Sequence, residues 1–327
     1  MKKTKLLLLC TACIPFMTGI AACSNSNTDI GILQYGEFAA LDSAREGFID
    51  GLKEAGFGDL KIDYKNAKAN STNNTNFSKG LAGKKHKLNL AIATPCATAL
   101  KAAQEKVGST TPLLFTAVTD PVGAKLVNND KAPEGFVTGS SDLQPEEALE
   151  NQIKLTKKMI PTATKLGIFY CSNEQNSRVQ AELAKTVAES EGLEVVEETC
   201  ADAQGIKSHI AALAPKVDAV WIPTDNTIAN DIGLVKSAID TNKKLLIVGE
   251  EGMLSTGHVT VSISYYDLGK KTAELAAQIL NGKSISEVPV FYSTIDICGY
   301  VYNKNNLESA GFTTEALPSE FPWKEAE

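Results

Sequence analysis

The chain has 327 residues, 43% hydrophobic and 22% charged, with a formal charge of −7. That acidity disfavours nucleic acid and anionic lipid headgroups, and no nucleic-acid partner is expected. Single cores stop growing at about 250–300 residues, so the length favours two domains over one.

The N-terminus points to export. Met1-Lys2-Lys3-Thr4-Lys5 is a basic start, and residues 6–22 are apolar apart from two threonines and a glycine, which reads as a signal peptide. Ile20-Ala21-Ala22-Cys23 resembles a bacterial lipobox, where a peptidase cuts before a cysteine whose thiol then carries diacylglycerol. Lipid at Cys23 would hold the protein on the extracytoplasmic face of the cell membrane, with residues 23–28 as a short polar tether. An uncleaved membrane anchor is the competing reading, because about 17 residues is the lower limit for a spanning helix. After processing, Cys96, Cys171, Cys200 and Cys298 remain. Their spacing fits no zinc pattern, so free or partly buried thiols are expected, with no metal and no cofactor.

An internal repeat sets the architecture. Gly31-Ile32-Leu33-Gln34 leads through a helical stretch at 41–55 to Gly56, and Gly167-Ile168-Phe169-Tyr170 leads through 177–190 to Gly192. The glycine-to-glycine spacing is the same in both blocks, with each final glycine placed as a helix stop. Segments 60–64, 88–93 and 113–116 then match 193–197, 219–222 and 245–248 as further strands. Strands alternating with helices predict parallel sheets covered on both faces, and two tandem units predict two similar Rossmann-like lobes. Beyond the repeat, 259–264, 288–295 and 299–302 read as strands and 266–280 as a helix. The expected division is a signal at 1–22, the tether at 23–28, one lobe from 29–140 plus 257–282, and a second from 141–256 plus 283–327. Crossings are expected near 139–142, 251–257 and 282–288.

Ligands in open parallel sheets sit beyond the carboxyl ends of the strands. Those ends supply Gln34, Thr94, Thr116 and Ala117 from the first domain, and Asn173, Thr224, Asp225, Asn226 and Glu250 from the second. Ser140, Ser141 and Asp142 come from the crossover. Hydroxyls, amides and carboxylates suit a zwitterion. The helix start at Thr94-Pro95 offers N–H groups to a carboxylate, and Asp142, Asp225 or Glu250 offers a partner for an ammonium group. Asp225 and Asn226 fit helix capping equally well. Tyr35, Tyr265 and Tyr266 are placed to stack on an aromatic ligand or simply to pack, whereas Trp221 belongs to the core. The only arginines, Arg45 and Arg178, lie mid-helix and read as surface or interlobe ion-pair residues.

Several blocks carry a family resemblance. They include Ala44-Arg45-Glu46-Gly47-Phe48-Ile49-Asp50-Gly51-Leu52, Ala91-Ile92-Ala93-Thr94-Pro95, Leu114-Phe115-Thr116-Ala117-Val118-Thr119-Asp120-Pro121-Val122, Pro223-Thr224-Asp225-Asn226-Thr227 and Gly249-Glu250-Glu251-Gly252-Met253. They resemble the substrate-binding lipoproteins of ABC importers of the tryptophan/tyrosine type, over residues 30–310. The resemblance implies a type I periplasmic-binding fold joined by a multi-crossover hinge, closure around an amino acid, and delivery to an ABC permease driven by its ATPase. It suggests an aromatic ligand. The loop Tyr170-Cys171-Ser172-Asn173 departs from the Asn-Ser-Ser type loop of that family.

Rival chemistry is poorly supported. Amino-acid racemases of the aspartate/glutamate type also pair two α/β lobes, with a cysteine in each, and Cys96 would supply one thiol. The matching segment Thr224-Asp225-Asn226-Thr227 supplies none, and racemisation needs a second acid/base opposite the first. Gly282-Lys283-Ser284 mimics a phosphate-binding loop, but Ala277 stands where that loop needs glycine. The expectation is a binding protein and not an enzyme, with a chemosensory receptor as the alternative use of the same fold.

Overall fold

The computed structural model describes residues 28–326, so the expected signal sequence and Cys23 lie outside the described residues. The first half alternates strand and helix: β1 (Ile30–Gln34), α1 (Ala39–Glu54), β2 (Ile62–Asn66), α2 (Ser71–Ala82), β3 (Leu88–Ile92), α3 (Thr94–Val107), β4 (Leu113–Thr116) and β5 (Val137–Ser141). After α4 (Glu146–Met159) the pattern starts again with β6 (Lys165–Cys171), α5 (Gln175–Ser190), β7 (Glu194–Cys200), α6 (Ala203–Leu213), β8 (Ala219–Ile222) and α7 (Asn226–Asn230). It continues through α8 (Lys236–Asn242), β9 (Leu245–Val248) and β10 (Val259–Ile263). The tail adds α9 (Tyr265–Leu280), β11 (Phe291–Tyr292), β12 (Cys298–Tyr302), α10 (Lys304–Ser309) and β13 (Trp323–Glu325).

The repeat survives in the topology. The first sheet runs β11-β5-β4-β3-β1-β2 and the second β13-β12-β10-β9-β8-β6-β7, so β1 to β5 and β6 to β10 are laid out alike. Within each set of five, neighbouring strands pair parallel. Each sheet has an apolar cluster on both faces, which is why β1, β3, β4, β8 and β9 are buried along their whole length. β2 and β7 lie at sheet edges and are correspondingly part-exposed. Gly56 (φ +87°) and Gly192 (φ +72°) take the left-handed conformation just past α1 and α5, the stop that their spacing announced.

The lobe boundaries differ from those expected. β10 bonds to β9 and β12, which puts residues 259–263 in the second lobe and not the first. β11 pairs with β5, which puts Phe291 and Tyr292 in the first lobe and not the second. The later crossings therefore fall at Ser264 and at residues 293–297, where 251–257 and 282–288 were expected. The cause is remote in sequence. α9 returns to the first lobe because it lies backbone-to-backbone against α1: a Cβ on Gly47 would sit 2.0 Å from the Tyr266 carbonyl oxygen, and one on Gly269 would sit 2.1 Å from that of Ala44. Only glycine permits that approach.

The crossings are tied together. Tyr265 Oη donates to Asp142 Oδ2 at 2.9 Å, and Ser293 Oγ donates to the Ser141 carbonyl at 2.9 Å. Side chains on all three crossing segments thus meet beside the strand ends.

Candidate functional site

In both sheets the strand order reverses beside the first strand of the unit, at β1/β3 and β6/β8, and the carboxyl ends there face each other across a cleft. The lobes touch across it. Gln180 Nε2 on α5 donates to Thr119 Oγ1 of the first lobe at 3.3 Å, and a Cβ on Gly252 would meet Ala39 Cβ at 3.2 Å.

The wall from the first lobe is poor in charge. Gln34 is buried but spends its amide within the lobe, donating to Asp42 Oδ1 and accepting from Arg45 Nη1, both at 2.9 Å. Thr116 and Ser140 hydrogen-bond to each other at 3.0 Å, and Ser141 Oγ donates to the Thr119 carbonyl at 2.9 Å. Two alanines hold left-handed backbones at strand ends, Ala93 (φ +82°) after β3 and Ala117 (φ +56°) after β4. Such conformations cost of order 1–3 kcal/mol and collect at ligand clamps. Beside them, the N–H groups of Thr94 and Ala117 have no acceptor among the described residues. Thr94 is the first residue of α3 and Pro95 the second, so the Thr94 donor lies at the positive end of the helix dipole.

The wall from the second lobe is dense with bonded polar groups. Asp225 caps α7: Oδ1 accepts from Ile228 N at 2.9 Å, and Oδ2 accepts from Cys171 N and Ser177 Oγ, each at 2.7 Å. Glu174 accepts from Thr227 N at 2.8 Å, Thr227 Oγ1 at 2.7 Å and Asn226 Nδ2 at 2.7 Å. Asn176 Nδ2 donates to the Thr224 carbonyl at 2.8 Å, and Gln180 Oε1 accepts from Thr224 N at 3.1 Å. Burial, then the Glu174 charge, holds the Asp225 carboxyl well above the usual range despite its hydrogen bonds.

Two further carboxyls lie where the walls meet. Asp142 is 3% exposed and accepts from Thr119 Oγ1 and Tyr265 Oη, both at 2.9 Å; burial raises its pKa. Glu250 is 2% exposed and its Oε1 has no hydrogen-bond partner among the described residues. Burial, followed by the charges of Asp142, Asp225 and Glu174, pushes Glu250 up to about 8. No lysine or arginine among the described residues forms an ion pair with any of the four, whereas Asp63 on the first lobe pairs with both Lys65 and Lys84. A buried carboxyl with an unspent oxygen and no cation is an acceptor site for a positive donor.

Thr94, Ala117, Asp142, Thr224, Asp225, Asn226 and Glu250 thus converge on the cleft, while Thr116, Ser140 and Ser141 support it from behind. Asn173 does not join them: it is exposed and donates to the Ala201 carbonyl at 2.8 Å. Arg45 and Arg178 stay within their own lobes, the latter bonded to the Ser172 carbonyl at 2.6 Å. Tyr35 is half-buried and faces the second lobe, with burial and then Glu174 pushing its hydroxyl up to about 12. Tyr266 is exposed and bonds Asp50. Thr119, Glu174, Asn176, Gln180 and Tyr265, absent from the strand-end list, bond to the groups that converge there. Asn176, Ser177 and Gln180 did carry a signal, being polar residues in phase with the buried Ala181, Ala184 and Ala188 of α5.

A separate cavity of about 440 Å³ lies along the Ser264 crossing, between Ala39, Ser43 and Glu251. Tyr265 and Tyr266 line it, but none of the strand-end residues does. Among the described residues, no group of three His, Cys, Asp or Glu is placed to hold a metal ion, and no helix is long and apolar enough to cross a membrane.

Two similar lobes with a polar cleft at paired switch points define a type I solute-binding protein. The family model for ABC transporter substrate binding protein matches residues 29–318, and the chain belongs to that family. It is a family of extracytoplasmic binding proteins and not of enzymes. The chain is 34% identical over 290 residues to the curated Tyrosine-binding protein of Clostridioides difficile (strain R20291), covering 88% of this chain and 81% of that one. The structure of an ABC domain in complex with L-Trp from Streptococcus pneumoniae is 33% identical, covers 90% of this chain and 99% of its own, and superposes with a TM-score of 0.82. The ligand-free, open structure of a substrate binding protein with adhesive properties from Clostridium difficile is 32% identical, at 92% and 100% coverage, with a TM-score of only 0.69. At near-equal identity the better fit is to the L-Trp complex, in keeping with the contacts between the lobes.

Proposed function

We propose that this protein is the lipid-anchored receptor of an ABC importer, taking an aromatic amino acid into the cleft, performing no chemistry on it, and handing it to a permease driven by a separate ATPase. The observation that carries the reading is the buried Glu250 carboxyl beside Asp142, its Oε1 without a hydrogen-bond partner and neither carboxyl in an ion pair among the described residues. An α-ammonium group between Glu250 and Asp142 supplies the missing positive donor. The ligand carboxylate then meets the open N–H groups of Thr94, at the start of α3, and of Ala117, just past β4. Tyr35 offers a ring face beside the side chain. The relatives named for tyrosine and L-Trp support an aromatic ligand.

Closure follows from the same charges. Bringing four carboxyls out of water without a cation is costly, and the ligand's ammonium offsets part of that cost only when the lobes meet around it. A ligand that binds only the folded protein raises the melting temperature, by about 2.7 kcal/mol of stability at a hundredfold excess over Kd. L-Trp, L-Tyr or L-Phe is therefore expected to shift the melt by several degrees, and flat melts with all three would remove the ligand assignment. For the anchor, Cys23→Ala is expected to abolish radiolabelling by fatty acid; continued labelling would remove the lipobox.

A further inference from the structure

The sulfurs of the second lobe are placed for a chemistry that binding does not use. Cys171 ends β6 and Cys200 ends β7, and the two are direct partners in the parallel pairing. Parallel partners lie about 4.8 Å apart with side chains on one face of the sheet, inside the 4.4–6.8 Å span of Cα separations that a disulfide bridges. Both residues are 1% exposed, and Ile222 and Met253 belong to the same apolar cluster. The loops leaving them are open to solvent at Asn173, Ala201 and Asp202. The Cys171 thiol donates to the Ala201 carbonyl at 3.3 Å, and its neighbour Cys200 draws Cys171 below the ordinary thiol range, while Cys200 is raised by Cys171 and by burial. The other two described cysteines have no such neighbour: Cys96 lies in the first lobe and Cys298 on β12, both with thiols raised by burial.

We propose that Cys171 and Cys200 are a reversible thiol–disulfide modification site at the rim of the cleft, oxidised by a disulfide-bearing partner. The Cys171 thiolate attacks one sulfur of the oxidant, forming a mixed disulfide and expelling a thiolate. Cys200 gives up its proton and its sulfur then attacks Cys171, expelling the second thiolate. The protein loses two electrons and two protons, and the oxidant leaves as two thiols. Local opening of the 172–174 and 201–202 loops admits the oxidant to the buried sulfurs. An extracytoplasmic protein meets the oxidising conditions in which such a bond persists. The bond would tie the loop that carries Glu174 to the 201–202 loop.

Equilibration of the full chain in glutathione buffers, from fully reduced to fully oxidised, tests the site, with acid quench, unfolding, alkylation and peptide mass spectrometry. The expected result is a Cys171–Cys200 linked peptide, lighter by two hydrogens and lost on adding dithiothreitol, while Cys96 and Cys298 remain open to alkylation. In Cys200→Ser, glutathione is expected to stay on Cys171. Full alkylation of both cysteines in the most oxidising buffer would overturn the proposal, as would a linkage that recruits Cys96 or Cys298 instead.

Discussion

At the end of β1 the chain places Gln34 and Tyr35, and at the matching end of β6 it places Cys171 through Glu174. The first lobe goes on to offer backbone donors held in place by Ala93 and Ala117, with its one cleft-side amide already bonded within the lobe. The second lobe offers carboxylates and amides that mostly satisfy one another. A duplicated scaffold therefore repeats the location of a wall without repeating its chemistry. The second wall is pre-organised and spends its hydrogen bonds on rigidity; the first wall and the crossings keep unspent donors and acceptors for the guest.

That contrast is sharpest at Asp142, where the walls meet. Removing one member of a buried charge pair costs about 2–5 kcal/mol, so Asp142→Asn is expected to weaken amino-acid binding by about thirtyfold or more in titration calorimetry. Affinity within threefold of the parent would place the ammonium elsewhere. Glu250 gives the intermediate effect. With its pKa at about 8, a proton on Glu250 competes with the ligand's ammonium, so affinity is expected to rise with pH from the ordinary carboxyl range towards about 8, and then level off. The linked stability of the closed form runs the other way. The folded pKa of Glu250 lies above the ordinary glutamate value of 4.5, so the contribution is full below that value and is lost as pH rises through about 8. Glu250→Gln should flatten both trends; a titration as steep as the parent's would clear Glu250 of the role. Asn173→Ala should do least, changing affinity by no more than about twofold, because its side chain bonds Ala201 at the rim.

The contrast also marks what could be read from the chain alone. Strand ends were legible wherever an apolar run stops at a turn residue, as at Leu113–Thr116 and Leu245–Val248, and the glycine spacing exposed the repeat. The second and third crossings were not, because they depend on α9 docking on α1 through Gly47 and Gly269, far apart in sequence. The same limit explains Asn173 and Glu174. Neighbours at a strand end point in different directions, and only the position of α7, beyond the adjacent strand β8 of the same lobe, selects Glu174 as the inward group. Tyr265 entered as a stacking candidate, yet its hydroxyl is bound to Asp142 from another crossing, a contact that no local pattern encodes.

Small-angle scattering with and without L-Trp, over a pH series and alongside calorimetry, tests the central claim that a cationic guest releases closure of an acid-lined cleft. At neutral pH the radius of gyration is expected to fall when L-Trp binds, and that of ligand-free Glu250→Gln to be smaller than the ligand-free parent's. Calorimetric binding of L-Trp with no contraction, and no difference between Glu250→Gln and the parent, would contradict it.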